Sequence, residues 1–64
     1  MDPTVYRVVL EGDRWRVAQG DSVIGPFVSK DDAISFARKF AQADPPSRVV
    51  VTNPDGTIHE EAYR

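Results

Sequence analysis

The fold is decided by the stretch SKDDAISFARKFAQ, residues 29–42, which predicts one amphipathic helix. Ser29 is a favourable N-cap, and Asp32, three residues further on, is a suitable capping partner. Asp-Pro-Pro at residues 44–46 predicts the end of the helix, because the residue before a proline avoids helical geometry. Segments typical of β-strands lie on both sides, so the sequence predicts an α+β domain.

The predicted helix has one wide apolar face and one polar face. The alanines allow the helix to approach a sheet closely, and Phe36 and Phe40 are expected to supply most of its buried area. The apolar face consists of Ala33, Ile34, Phe36, Ala37, Phe40 and Ala41.

Before the helix, Val5–Glu11 and Arg14–Ala18 predict a hairpin that turns at Gly12-Asp13. This turn places Leu10 opposite Trp15, which fixes the pairing and the face of every side chain. The predicted core face carries Tyr6, Val8, Leu10, Trp15 and Val17. The opposite face carries Arg7, Val9, Glu11, Arg14, Arg16 and Ala18.

Three further strands are predicted, with less definite positions in the sheet. Ser22–Val28 contains Gly25-Pro26, which places this segment in either an edge strand or a loop. Ser47–Thr52 and Thr57–Tyr63 flank a turn at residues 53–56, and the order of this hairpin relative to the first stays open. The expected register puts Val50, Ile58 and Ala62 on one face, and Val49, Val51, His59, Glu61 and Tyr63 on the other.

Together these elements predict one small α+β domain over residues 1–64. We expect two layers, an antiparallel sheet of four to five strands with one helix on one face, in the order β-β-(β)-α-β-β. The helix covers one side of the sheet only. The other side is expected to carry Val9, with Val49 and Val51 as further candidates, and to be solvated or covered by a second copy or another protein.

Composition excludes several classes of protein. A chain of 64 residues without cysteine has neither disulfides nor a thiolate metal site, and no apolar run approaches the length of a bilayer span. A net charge of −2 disfavours a dedicated nucleic-acid-binding protein. The first residues do not resemble a secretory signal, so we expect a cytoplasmic location and no membrane partner.

No catalytic or metal-binding constellation is predicted. His59 is the only histidine, and with Glu61 on the same strand face it provides only two potential metal ligands. Asp31 and Asp32 are explained by the first helical turn, where acidic residues are favourable. We therefore expect no cofactor, no metal and no enzymatic activity.

The best candidate for a binding surface is the outer face of the first hairpin, formed by Arg7, Val9, Arg14 and Arg16. Three guanidinium groups on one face could contact phosphates or an acidic protein surface. The plainer alternative is a solvated face with an Arg14–Glu11 pair across the strands. We expect a small non-enzymatic interaction or accessory module that acts by contact with a protein or by self-association, with a nucleic-acid-binding domain as the alternative.

The order of motifs along the chain also resembles a known family. An aromatic-x-Val segment, a Trp-x-Val strand, the helix, a Val-Val-Val strand and Asp-Gly-Thr-Ile follow one another as in domain of unknown function 2188, a family of short bacterial proteins. The chain departs from the family at Arg14, where a glycine usually stands, and at Pro45-Pro46. The resemblance implies a small bacterial domain with this order of elements, and it implies no activity. It is carried by Tyr6, Val8, Trp15, Val17, Lys30, Ala33, Ile34, Ala37, Val50, Val51, Asp55, Gly56, Ile58 and Tyr63.

Overall fold

The computed structural model describes residues 2–64 and shows a mixed five-stranded sheet with one helix against it. No helix in this part of the chain is long and apolar enough to cross a membrane. In chain order the elements are β1 (Thr4–Glu11), β2 (Arg14–Gln19), β3 (Ser22–Phe27), α1 (Lys30–Ala43), β4 (Ser47–Thr52) and β5 (Ile58–Tyr63).

Strands β1 and β2 form the predicted hairpin in the predicted register. Val8 lies opposite Val17, and Leu10 lies opposite Trp15. Because side chains alternate along a strand, this register sends Val8 and Val17 toward α1, where both are fully buried.

The sheet is mixed, so the expectation of a purely antiparallel sheet is wrong. Across the sheet the strands lie in the order β3-β2-β1-β4-β5, which differs from their order along the chain. All neighbouring strands are antiparallel except β1 and β4, which are parallel. The reason is the helical crossover: β3 runs in the same direction as β1, and α1 brings the chain back so that β4 starts from the same end.

The helix begins and ends as predicted, but its buried face is narrower than expected. Ser29 Oγ accepts a hydrogen bond of 3.1 Å from the Asp32 amide, and Asp44 is the C-cap. The fully buried residues of α1 are its alanines, whereas Phe36 is half-buried and Phe40 is 44% exposed. Phe36 packs against the core as expected, but the expectation that Phe40 belongs to the core is wrong, since the helix contacts the sheet through its alanines. The buried alanines are Ala33, Ala37 and Ala41.

The core stops short of the tip of the first hairpin. Leu10 is 37% exposed and Trp15 is half-buried, although the sequence places both on the core face. The helix begins at Lys30, whose Nζ lies 5.9 Å from the centroid of the Trp15 ring. Trp15 therefore packs at the margin of the core beneath the Lys30 ammonium group, and Leu10 lies beyond that margin.

Val49 and Val51 face the helix and not the uncovered side of the sheet. Both are buried, at 0% and 2% exposure, because the parallel register pairs Val49 with Tyr6 and Val51 with Val8. The expectation that they belong with Val9 on the other face is wrong. The predicted register within the last hairpin is confirmed, since Val49 lies opposite Glu61 and Val51 lies opposite His59.

Strand β3 is an edge strand and contains Gly25-Pro26. The register between β2 and β3 shifts between Trp15 and Val17, because three steps of β3 span two steps of β2. This irregularity is a β-bulge at Gly25, whose φ is 127°. An edge position suits the proline, which has no amide hydrogen to donate to a neighbouring strand.

Candidate interaction surface

One face of the sheet, here called the open face, lies opposite α1 and has no second layer. Strand register assigns its residues, because directly paired side chains lie on the same face. The four residues singled out from the sequence, Arg7, Val9, Arg14 and Arg16, all lie there. The open face consists of Val5, Arg7, Val9, Glu11, Arg14, Arg16, Ala18, Val23, Arg48, Val50, Thr52, Ile58, Glu60 and Ala62.

Three valines form an apolar centre of the open face, with Arg7 and Arg48 between them. Val5, Val9 and Val50 lie on the inner strands β1 and β4 and are half-buried by their neighbours alone. Toward the two edges, Val23 and Ile58 are 60% and 64% exposed. An apolar centre without a covering layer is typical of a surface that contacts another molecule.

Most of the arginines on the open face already have a carboxylate close by. Arg48 Nη1 lies 3.2 Å from Glu60 Oε1, and Arg16 Nε lies 3.6 Å from Glu11 Oε2. Glu11 therefore contacts Arg16, which lies diagonally across the two strands, and not Arg14, as the sequence suggested. Arg14 Nε instead lies 3.9 Å from Asp13 Oδ1 in the turn.

Arg7 differs from the other three arginines. Within residues 2–64 no carboxylate lies within 4 Å of its guanidinium group, and the residue is exposed. It lines a depression of about 450 Å³ where β1 begins and β2 ends, together with Thr4, Val5, Ala18, Gln19 and Gly20. A partner's carboxylate therefore has both room and an available cation at this point of the surface.

Arg48 and Glu60 belong to the open face but are absent from the surface predicted from the sequence. Both lie in the last hairpin, where Arg48 pairs with Val5 of β1 and Glu60 pairs with Val50 of β4. The alternation of side chains along β4 and β5 does indicate that Arg48 and Glu60 lie on the same face of the hairpin, opposite to Val49 and Glu61. No local pattern reveals that this hairpin lies beside β1, so no sequence feature could join them to Arg7.

A second polar group lies on the helix side of β5. Arg38 of α1 donates two hydrogen bonds to Glu61, from Nε to Oε1 at 2.8 Å and from Nη2 to Oε2 at 2.7 Å. Tyr63 Oη donates to Glu61 Oε1 at 3.1 Å, and His59 Nε2 lies 3.5 Å from Glu61 Oε2. Among residues 2–64 no three His, Cys, Asp or Glu side chains come together in an arrangement that could hold a metal ion. The cluster therefore attaches β5 to the helix, with Glu61 as its acceptor.

This attachment predicts a loss of stability in acid. The hydrogen bonds from Arg38 hold the pKa of Glu61 at about 2, below its usual 4.5. A lowered folded-state pKa stabilises the protein above the unfolded pKa, and this contribution disappears as the pH falls from about 5 to about 2. We expect Glu61→Gln to lower the melting temperature by roughly 5 °C at neutral pH and to have little effect near pH 2.

The measurement is thermal unfolding of the wild type and of Glu61→Gln at several pH values. Arg38→Gln removes the partner of the same carboxylate, so its difference from the wild type should shrink over the same pH range. If both differences were the same at pH 7 and near pH 2, the Arg38–Glu61 interaction would not contribute to the acid sensitivity.

Comparison with known proteins gives one match. The family model described as "Uncharacterized protein conserved in bacteria (DUF2188)" matches residues 6–62, which include all six secondary-structure elements in whole or in part. No curated protein and no solved structure matches the chain significantly.

Proposed function

The chain belongs to the DUF2188 family of uncharacterised bacterial proteins, as the sequence resemblance indicated, and from this premise we propose that it is a small non-enzymatic interaction module. It acts by contact with a protein through the open face. The observation that carries the proposal is the group of uncovered apolar side chains at the centre of that face, Val5, Val9 and Val50, with charged residues between and around them.

The composition of the open face favours a protein as its partner. Protein interfaces combine an apolar centre with a polar rim and are enriched in arginine. The open face has the same components, with valines on β1 and β4 and charged side chains on β1, β2, β4 and β5. A domain of this size buries only about 60% of its unfolded surface, so a partner over the second side of the sheet also supplies stability.

Nucleic-acid binding is the alternative, and the arginines are the observation that favours it. Four guanidinium groups lie on one face, and Arg7 has no carboxylate nearby within residues 2–64. The other three each have a carboxylate within 4 Å, which lowers the positive potential that phosphates would meet. Together with the net charge of −2, this ranks nucleic acid second.

Photo-crosslinking in bacterial cells separates these partners. A photoreactive residue replaces Ile58, which is 64% exposed on the open face. The matched control carries it at Lys39, which is exposed on the outer side of α1. We expect crosslinked products from position 58 that resist nuclease and are degraded by protease, and few from position 39.

The chemistry of the contact is tested in the same cells. Val50→Glu, combined with the photoreactive residue at position 58, should reduce the products at least tenfold, because a charge at the apolar centre loses its water on contact. Crosslinked products that nuclease degrades would contradict the protein contact and support nucleic-acid binding. Equal yields from positions 58 and 39 would show that the open face is not a specific surface.

A further inference from the structure

On the open face, the residues on the two sides of β4 match one another: apolar residues of β1 correspond to apolar residues of β5, and a cation corresponds to a carboxylate. The paired residues of β1, β4 and β5 form rows across the sheet, and β4 lies in the middle of each row. One row reads Val5–Arg48–Ala62, and the next reads Arg7–Val50–Glu60. The last pair of β1 with β4 is Val8–Val51; one residue further on, Val9 is level with Thr52, which pairs with Ile58, and these three make a third row.

Two such sheets can stack with their open faces toward each other, related by a two-fold axis that lies between them and runs parallel to β4. Under this rotation the rows of one copy complement those of the other. The rotation places β1 of one copy over β5 of the other. Val5 then meets Ala62, Val9 meets Ile58, and Val50 meets its own counterpart at the axis. The only charged groups exchanged between β1 and β5 have opposite signs, since Arg7 of one copy lies over Glu60 of the other.

We propose that the protein partner of the open face is a second copy of this chain, stacked face to face about a two-fold axis along β4. The proposal rests on the proposed function, because it names the occupant of the same surface. An isologous contact of this kind uses one patch twice, and the charge and apolar patterns of β1 and β5 satisfy that requirement. Stacked sheets lie about 10 Å apart and cross at about 30°, so the pairs nearest Val50 keep their alignment best.

The charged groups at the axis are consistent with this arrangement. Arg48 lies opposite Arg48 of the second copy, but each already contacts Glu60 of its own chain at 3.2 Å. Glu60 thus lies between its own Arg48 and Arg7 of the other copy. Arg7 supplies the cation that is still available, and the depression beside it has room for the carboxylate. Arg14 and Arg16 lie on β2, outside the three overlapping strands.

The expected association is weak. Three strands spaced about 4.8 Å apart and about 20 Å long give an overlap of roughly 300 Å² in projection per copy. A standard interface buries about 800 Å² of accessible surface per partner, so this contact lies at the small end. We expect dissociation constants in the range of about 10 µM to 1 mM.

A charge exchange tests the contact between Arg7 and Glu60 directly. In Arg7→Glu every such contact of the dimer joins two carboxylates, and in Glu60→Lys every one joins two cations. Each variant alone should dimerise at least tenfold more weakly than the wild type. An equimolar mixture of the two should recover dimers, because all contacts between unlike copies again join opposite charges.

Sedimentation equilibrium from about 10 µM to 1 mM measures these constants, and an amide NMR spectrum of each variant checks its fold. Arg14→Glu carries the same charge change as Arg7→Glu but lies outside the overlap, so it should dimerise like the wild type. In a mixture of Arg14→Glu with Glu60→Lys, dimer formation should be no stronger than that of Arg14→Glu alone, which associates like the wild type. That mixture controls for attraction through net charge.

Two results would overturn the inference. One is a wild-type chain that stays monomeric up to about 1 mM, and the other is a mixture of Arg7→Glu and Glu60→Lys that associates no better than each alone. Neither result touches the interaction function itself, which photo-crosslinking from position 58 tests separately. Nuclease-resistant crosslinks to a different protein, together with a monomeric purified chain, would leave the function standing with another partner.

Discussion

Replacing Val8 with alanine should lower the free energy of unfolding by about 2 kcal/mol. Val8 is completely buried in the central strand β1, between Val17 of β2 and Val51 of β4. The substitution removes two methyl groups and leaves a cavity that the surrounding valines and alanines cannot fill. A domain of this length has a total stability of roughly 3–10 kcal/mol, so the loss is a large fraction of it.

The matched control is the next residue of the same strand. Val9→Ala makes the same chemical change on the open face, where Val9 is only half-buried. We expect a loss of less than about 1 kcal/mol. Urea unfolding at low protein concentration, where the chain is monomeric, compares the two variants. Equal losses would mean that the two faces of β1 are equally covered, contrary to the two-layer structure.

Replacing Gly25 with alanine should lower the stability by roughly 2 kcal/mol, for two independent reasons. The φ of Gly25 is 127°, far from the left-handed helical region near 57° that other residues occasionally adopt. A Cβ atom at this position would also lie 3.1 Å from the Trp15 carbonyl oxygen and 3.2 Å from Cδ2 of Phe27. The bulge that joins β3 to β2 would have to rearrange.

Gly12→Ala is the control for a glycine in the ordinary left-handed region with free space around it. Gly12 has a φ of 66°, so alanine is strained there too, but nothing lies within 4 Å of the added Cβ. We expect a loss of about 1 kcal/mol in the Gly12 variant, measured by the same urea unfolding. If the Gly25 variant were no less stable than the Gly12 variant, neither the φ of 127° nor the close approach to Trp15 would add to the cost.

The correct predictions from the sequence concern residues that are close together in the chain. The pairing of Leu10 with Trp15 follows from a two-residue turn, and the helix start follows from Ser29 and Asp32, which are three residues apart. The turn that ends β4 likewise fixed the pairing of Val51 with His59. In each case the interacting residues are close in the chain, so their geometry is restricted by backbone and hydrogen-bonding rules.

What the sequence did not predict depends on residues far apart in the chain. The parallel pairing of β1 with β4 has no local pattern, and without it Val49 and Val51 could not be assigned to the buried face. The helical wheel gave a wide apolar stripe but not the side nearest the sheet, so Phe40 was expected in the core. The candidate surface was likewise incomplete, because Glu60 joins Arg7 on one face only through the position of β4.

The position of β1 in the middle of the sheet affects how the chain is made. β1 is synthesised before both of its neighbours and can pair first with β2, but its other edge stays unpaired until β4, which follows the helix, has been made. A nascent chain that has not yet reached Ser47 therefore exposes an unpaired central strand, which can be captured by another chain. The sheet is thus completed only after β4 has been synthesised, and we expect chains arrested before Ser47 to bind chaperones.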